Sequence, residues 1–315
     1  MHEIRVVFMG TPTFSVRPLD YLVTEGYNMV AVYTQPDKSS GRGQITVATP
    51  VKQYAASHQL PVLQPRNFRS VDTVAELAAL KPDIIVVAAF GQILPKTVLD
   101  IPRYGCLNIH PSLLPRFRGV SPVPAAILAG DTFTGVCIML LDPGMDTGPI
   151  MAEAQSPVLP WDTTGSLTIR LAQIGSQLLV DVIPHWINRE IEPRPQDGSK
   201  ATYCGMVHKE DGLINWHLSA IDISRRVRAF SPWPGAFTLW QGKQLKIIEA
   251  RPVSPDAKPM PGEVRALPEK NAGFIIGTGD GALGDYTVQM EGKRIIPAAE
   301  FLRGQRQFIG TILPG

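Results

Sequence analysis

Apolar, β-branched runs at residues 4–9, 29–34, 61–64, 83–88 and 105–110 alternate with helix-patterned stretches near 14–25, 50–58, 71–80 and 94–99, and no other feature constrains the fold as much. Runs that are apolar on both faces suit a parallel sheet covered by helices, so the first part of the chain reads as a βαβ series. In such sheets ligands bind outside the carboxyl ends of the strands. Residues 163–188 read as one long helix, capped by Asp162 or Thr163 and carrying Leu167, Leu171, Ile174, Leu178 and Val182 at helical spacing.

The pattern changes after this helix. Glu192-Pro193-Arg194-Pro195-Gln196-Asp197-Gly198-Ser199 is polar and rich in Pro and Gly, the composition of a linker. Beyond it, a short helix at 220–229 precedes alternating runs at 236–240, 244–250, 262–266, 273–277, 286–290 and 294–297, which suggest a small β-barrel. At 315 residues, 44% hydrophobic and 18% charged, the chain has the length for two domains. The expected division is a Rossmann-like, mostly parallel α/β domain over 1–191, a linker over 192–206, and a C-terminal barrel of oligonucleotide-binding (OB) type over 207–315.

A formal charge of +2 argues against a strongly electrostatic nucleic-acid binder, and no DNA partner is expected. The charge is uneven, however: residues 204–315 hold 14 Lys and Arg against 11 Asp and Glu, whereas residues 1–203 hold 16 against 17. That asymmetry suits an RNA-facing second domain and suits ordinary surface scatter equally well. Cys106, Cys137 and Cys204 form no C-x-x-C pair, so neither a disulfide framework nor a metal or redox motif is indicated. The N-terminus runs straight into a strand-like segment and no apolar run reaches membrane-spanning length. A soluble, cytoplasmic chain without a membrane partner is the expectation.

One motif misleads. Gly279-Asp280-Gly281-Ala282-Leu283-Gly284 matches the dinucleotide fingerprint G-x-G-x-x-G, yet a strand-like run follows where the fingerprint needs a helix, so a hairpin turn is expected there. The first βα turn, Met9-Gly10-Thr11-Pro12-Thr13-Phe14, has one glycine and a proline that removes a backbone donor. A nucleotide-binding dehydrogenase is therefore disfavoured. No H-E-x-x-H, H-x-x-E-H or G-x-S-x-G run supports zinc or serine-nucleophile hydrolysis.

Chemistry concentrates instead at Asn108, Ile109 and His110, followed by Pro-Ser-Leu-Leu-Pro, and at Asp146 within Asp-Pro-Gly-Met-Asp-Thr-Gly after an apolar run at 135–141. An amide, an imidazole and a carboxylate are the parts needed to stabilise an oxyanion and move protons in acyl transfer. Two residues apart on a strand, Asn108 and His110 share one face. His58, His185 and His217 stand in no comparable setting.

The stretch NIHPSLLPRFRG, with DTG downstream, resembles the folate-dependent formyltransferases, which move a formyl group from 10-formyltetrahydrofolate to an amine. The resemblance implies that Asn108, His110 and Asp146 are catalytic. The Asn108 amide and a protonated His110 would donate to the developing oxyanion, and Asp146 would raise the His110 pKa. It further implies that Ser112, Leu113, Leu114 and Pro115 lie against the folate and that Phe90, Gly91, Gln92, Ile93 and Leu94 line its pterin pocket, with no metal and no covalent enzyme intermediate. Arg116 and Arg118 are open to three readings: a folate glutamate tail, RNA phosphate, or plain solvation.

The acceptor is implied by two further regions. Gln35-Pro36-Asp37-Lys38-Ser39-Ser40-Gly41-Arg42-Gly43-Gln44 resembles the QPD…GRG loop of the methionyl-tRNA formyltransferases, which contacts the acceptor stem; the basic run that follows GRG in that family is here Gln44-Ile45-Thr46. Lys200-Ala201-Thr202-Tyr203, Phe230-Ser231-Pro232-Trp233-Pro234-Gly235-Ala236 and Phe301-Leu302-Arg303-Gly304 resemble the same family's accessory barrel. The implied partner is initiator methionyl-tRNA, met by Phe14, Lys38, Gly41, Arg42 and Gly43, and the implied enzyme is a monomer acting in translation initiation. An amino-sugar-nucleotide N-formyltransferase, a formyltetrahydrofolate hydrolase and a non-catalytic RNA-binding module remain as alternatives.

Overall fold

All five apolar runs of the first part form strands. The structure, a computed structural model, describes residues 3–40, 45–255, 259–267 and 273–314. Gly41, Arg42, Gly43 and Gln44 lie outside the described residues. The chain divides into two compact units: Met1–Pro122, Phe133–Pro157 and Thr168–Cys204 make the first, and Val123–Thr132, Val158–Leu167 and Gly205–Gly315 the second.

In chain order the first part gives β1 (Arg5–Gly10), α1 (Thr13–Thr24), β2 (Asn28–Tyr33), β3 (Lys38–Ser40), β4 (Ile45–Val47), α2 (Pro50–Ser57) and β5 (Val62–Leu63). Next come α3 (Val71–Ala79), β6 (Ile84–Ala88), α4 (Lys96–Leu99), β7 (Cys106–His110), β8 (Arg118–Gly119) and α5 (Pro122–Ala129). The series closes with β9 (Phe133–Leu140), β10 (Ile150–Pro157), α6 (Thr164–Ile187) and β11 (Tyr203–Cys204).

Seven strands make the main sheet, in the order β10-β9-β7-β6-β1-β2-β5. Those from β7 to β5 are parallel, while β9 runs antiparallel to β7 and β10 antiparallel to β9. Val6, Val7, Phe8 and Met9 of β1 are all fully buried, as a strand covered on both faces must be. Each such side chain contributes about 1.5–3 kcal/mol on burial. On one face Val7, Met9, Tyr33, Ile85 and Val87 pack against Phe68, Leu77 and Phe90. Gly10, Ala88 and His110 end parallel strands at one edge, and the segments read as functional follow them.

Residues 192–204, linker-like in composition, are tied into the first unit by backbone bonds. Ile150 and Arg194 exchange N–H···O bonds of 2.8 Å each way, and β11 pairs in parallel with β8.

The second unit holds α7 (Ala220–Ala229), β12 (Ala236–Trp240), β13 (Lys243–Val253), β14 (Val264–Ala266), β15 (Phe274–Gly277), β16 (Ala282–Met290), β17 (Ile296–Pro297) and α8 (Ala298–Gly304). Its strands form a curled antiparallel half-barrel of order β12-β13-β16-β15-β14, with β17 on β16. Ser219 caps α7 by accepting from the Asp222 N–H at 3.1 Å. Phe308 meets Trp240, Phe274 and Phe301 edge to face at 5.0–5.1 Å, and each such pair adds about 0.5–1.5 kcal/mol beyond area burial. The G-x-G-x-x-G run is indeed a hairpin: Gly277 pairs with Ala282, and Thr278 N–H donates to Gly281 O across the turn at 3.2 Å. With strand β16 after it, no helix N-terminus is there to hold a pyrophosphate.

Candidate active site

Strand β7 is buried along its whole length, and its two-residue repeat sends Asn108 and His110 to one face while Leu107 and Ile109 take the other. His110 Nε2 lies 3.0 Å from the Phe117 carbonyl oxygen. A carbonyl only accepts, so Nε2 carries the proton and Nδ1 is turned toward Asp146 Oδ1, 3.7 Å away. Phe117 adopts a left-handed φ of 56°, costing about 1–3 kcal/mol, and in doing so its carbonyl meets the ring while its N–H donates to Thr202 Oγ1 at 2.8 Å. Asn108 is 8% exposed, and among the described residues its amide has no side-chain partner. It is also absent from the fully enclosed unpartnered groups, such as Trp216 Nε1, so its polar atoms keep solvent access. A donor of this kind, fixed at its base and free at its tip, is what an oxyanion needs.

Asp146 reaches His110 by folding back. Leu140, the end of β9, pairs with Leu107, three residues before His110 and so about 10 Å short of it at strand spacing. The loop from Leu141 to Pro149 must climb that distance. Asp142 Oδ1 shapes it by accepting from Gly144 N–H at 3.0 Å and Thr147 Oγ1 at 2.7 Å. At Gly148 the returning chain lies directly on the Leu140 carbonyl, where any Cβ would collide. Asp146 itself has φ 53°, a conformation Asp tolerates better than most residues, and its Oδ2 accepts from Gly119 N–H at 2.8 Å. Gly119 in turn has φ 113° and presses on the Cys204 carbonyl, so that position admits only glycine.

Electrostatics correct one expectation. Burial lowers the His110 pKa, and this outweighs the upward push of the Asp146 carboxylate and the smaller one of the Phe117 carbonyl. The resting ring is therefore neutral rather than imidazolium, with an Nδ1 lone pair ready to take a proton beside an anion that stabilises the product. Burial also pushes the Cys106 and Cys137 thiols up to about 12, so neither is a thiolate at neutral pH. Among the described residues no group of three or more His, Cys, Asp or Glu is placed to hold a metal ion.

The surrounding loop residues divide by role. Ser112 is fully buried and donates to the Arg116 carbonyl at 2.6 Å; Leu114 packs on Cys137, Met139 and Ile150. These two shape the loop and leave Leu113 and Pro115 partly open. Phe90 and Leu94 belong to the hydrophobic core, whereas Ile93 is 88% exposed. Gly91 turns the chain with φ 82°. Gln92 donates to the Pro65 carbonyl at 2.9 Å and keeps a buried, unpartnered Oε1. Phe14 is buried in the first turn of α1, and Lys38 lies on β3. The base of the QPD loop is clamped: Asp37 accepts from Lys52 Nζ at 2.6 Å and Gln64 Nε2 at 2.7 Å, bonds that hold its carboxyl below the usual range.

Three contributors had no supporting role assigned to them from the sequence. Arg118, open to a ligand-binding reading in sequence, is 5% exposed and spends its guanidinium on Gln196 Oε1 and the Tyr203 hydroxyl. Gln196 sits in the linker-like run, and Thr202 fixes Phe117 from further along it. Residue 196 offered no composition or spacing signal.

A mostly parallel α/β sheet with Asn108 and His110 at the end of one strand and Asp146 beside His110, followed in the chain by a small antiparallel unit, is the arrangement expected of a formyl transferase. The formyl transferase family model matches residues 4–183 and its C-terminal domain model matches 206–306, and the chain belongs to this family. It is 48% identical over 313 residues to the methionyl-tRNA formyltransferase of Dehalococcoides mccartyi strain CBDB1, covering 99% of each chain. It is 48% identical over 302 residues to that of Chloroflexus aurantiacus strain J-10-fl, covering 96% of this chain and 97% of the relative. Among solved structures, HypX from Aquifex aeolicus in complex with tetrahydrofolic acid shares the fold (TM-score 0.65, 21% identity, 97% of this chain), and the chain spans about half of that protein, 47%. An N-formyltransferase from Helicobacter canadensis, in complex with folinic acid and dTDP-3-aminofucose, does so with TM-score 0.65 and 20% identity over 90% of this chain and 99% of that one. Among the described residues no helix is long and apolar enough to cross a membrane.

Proposed function

We propose that this chain transfers the formyl group of 10-formyltetrahydrofolate to the free amino group of methionyl initiator tRNA, for translation initiation. One observation carries the proposal: Asn108 and His110 share one face of β7, with Asp146 3.7 Å from His110, in a chain whose full-length relatives bear the name methionyl-tRNA formyltransferase.

The folate supplies a formyl carbon on a nitrogen that can leave. Asn108 donates to the formyl oxygen as negative charge develops there, a contribution of about 3 kcal/mol for a preorganised donor. Neutral His110 accepts the proton released by the attacking amine at Nδ1, Asp146 stabilises the resulting imidazolium, and the proton passes to the departing nitrogen. Leu113, Pro115, Gly91, Gln92 and Ile93 offer the folate contacts, while Ser112, Leu114, Phe90 and Leu94 shape the walls behind them. Phe14, Lys38, Gly41, Arg42 and Gly43 are assigned to the acceptor-stem side. We further assign 1–191 to a catalytic domain, 192–206 to a linker and 207–315 to an OB-like tRNA-binding domain, in a cytoplasmic monomer.

Purified protein incubated with 10-formyltetrahydrofolate and methionyl-tRNA should yield formylmethionyl-tRNA at a rate far above that with a dTDP-amino sugar or with water as acceptor. Preferred formylation of the amino sugar, or release of formate alone, would replace the tRNA assignment.

A further inference from the structure

The direction of the Asp146 carboxylate depends on a side chain outside its own loop. Gln196 uses its carboxamide on both sides. Its Oε1 accepts from Arg118 Nε at 3.1 Å and Nη2 at 2.7 Å, and its Nε2 donates to the carbonyls of Asp146 at 2.8 Å and Gly148 at 2.7 Å. The guanidinium also fixes the sense of the amide. Turned over, its NH2 would face two more donors and its oxygen would face two carbonyls, leaving all four bonds broken.

We infer that Gln196 is a positioning residue for Asp146, and this rests on the proposed roles of His110 and Asp146. Two constraints aim the carboxylate. Gly119 N–H, on β8, holds Oδ2, and Gln196 holds the main chain at 146 and 148 to the Arg118 side chain of the same short strand. Head and backbone of Asp146 are thus both referred to β8. Because Asp146 sits at φ 53°, its backbone keeps that conformation only while its surroundings over-determine it. Releasing the two carbonyls lets the loop relax and carries the carboxylate away from His110. A glutamine is required rather than a glutamate: a carboxylate would satisfy Arg118 and could donate nothing to the carbonyls. The titratable groups facing Asp146 are His110 from β7 and Cys204 from β11.

The test uses the full-length chain with Gln196→Glu, Gln196→Ala and Asp146→Asn. Steady-state turnover is measured with 10-formyltetrahydrofolate and methionyl-tRNA, and the His110 imidazole pKa is followed by NMR on the free protein. Both Gln196 variants should lose at least about tenfold in kcat with KM for methionyl-tRNA within about twofold. Glutamate should not rescue, and His110 in the alanine variant should titrate lower than in wild type because the anion has moved away. Wild-type kcat in Gln196→Glu would reduce the residue to a partner for Arg118. Unchanged kcat and unchanged His110 titration in Gln196→Ala would remove it from the site. If Gln196→Ala does not fold, the near-isosteric glutamate variant decides alone. Asp146→Asn separates the two levels: normal turnover there overturns the site assignment itself, whereas a loss there beside intact Gln196 variants overturns only the role of Gln196.

Discussion

Burial depresses the His110 pKa against the pull of Asp146, and the sign of every pH effect at this residue follows from that. The folded value lies below the unfolded value of 6.5, so the stability contributed by the neutral ring is fully present above 6.5 and is lost as pH falls through the folded value. Denaturant midpoints measured from pH 8 down to 5 should therefore fall less steeply for His110→Gln than for wild type. Turnover should likewise stay level as pH falls past 6.5 and drop only on an acid limb at the lower folded value. Asp146→Asn removes the upward push of the anion, so that limb should move to still lower pH, beside a large loss of kcat. A shift upward would contradict the arrangement of Nδ1 and Oδ1. Asn108→Ala should cost at least about a hundredfold in kcat with the fold intact by circular dichroism, since a donor used mainly in the transition state is worth on the order of 3 kcal/mol. Turnover near wild type would take Asn108 out of the oxyanion site.

Elements with a single strong period were legible in the sequence and mixed ones were not. The five parallel strands emerged from their β-branched runs, and α7, expected at 220–229, has the observed bounds Ala220–Ala229. Helix α5 (Pro122–Ala129) escaped because its sequence, PVPAAILA, is apolar all round and opens on prolines, which a first helical turn accepts. Strand β10 (Ile150–Pro157) escaped because Ala, Glu and Gln have weak strand preference, and its place at the sheet edge comes only from pairing with β9. Within the site, Asn108, His110 and Asp146 stood out as residue types in order along the chain. Their supports did not. The Phe117 carbonyl has no side-chain signature, and Gln196 looks like any polar residue after a proline. The fold-back of Leu141 to Pro149 was equally hidden, since it follows from β9 being antiparallel to β7. That fold-back yields a test. Gly148→Ala puts a methyl against the Leu140 carbonyl, a strain of about 1–3 kcal/mol that the loop relieves by moving. The variant should lose at least about tenfold in kcat while its melting temperature falls by only a few degrees, and normal turnover would mean that the loop does not set the carboxylate.

At the scale of the whole molecule, the proposed tRNA binding would draw on positive charge from a chain of formal charge +2, so the distribution matters more than the sum. The basic excess lies after residue 204, where Lys and Arg outnumber Asp and Glu 14 to 11. Removing that part is a poor test, because cutting near residue 201 also takes Thr202, Tyr203 and Cys204, whose bonds hold Phe117 and β8 at the site. Substitution within the full chain avoids this. Lys243 opens β13, and Lys293 follows the end of β16 across the pairing that sets Leu245 opposite Met290, so the two cations share one end of the half-barrel. Each phosphate contact releases counterion, and log affinity falls with log salt by about 0.7–0.9 per contact. Arg42→Ala should reduce that slope by roughly one contact if the GRG loop meets the acceptor stem, and Lys243→Ala with Lys293→Ala by roughly two if the half-barrel end meets phosphate. Neither change touches Asn108, His110 or Asp146, so kcat at saturating methionyl-tRNA should hold while KM rises, and more so at higher salt. Equal salt slopes for wild type and both variants would mean that neither surface binds RNA, and a small amino-sugar acceptor would then fit the site better.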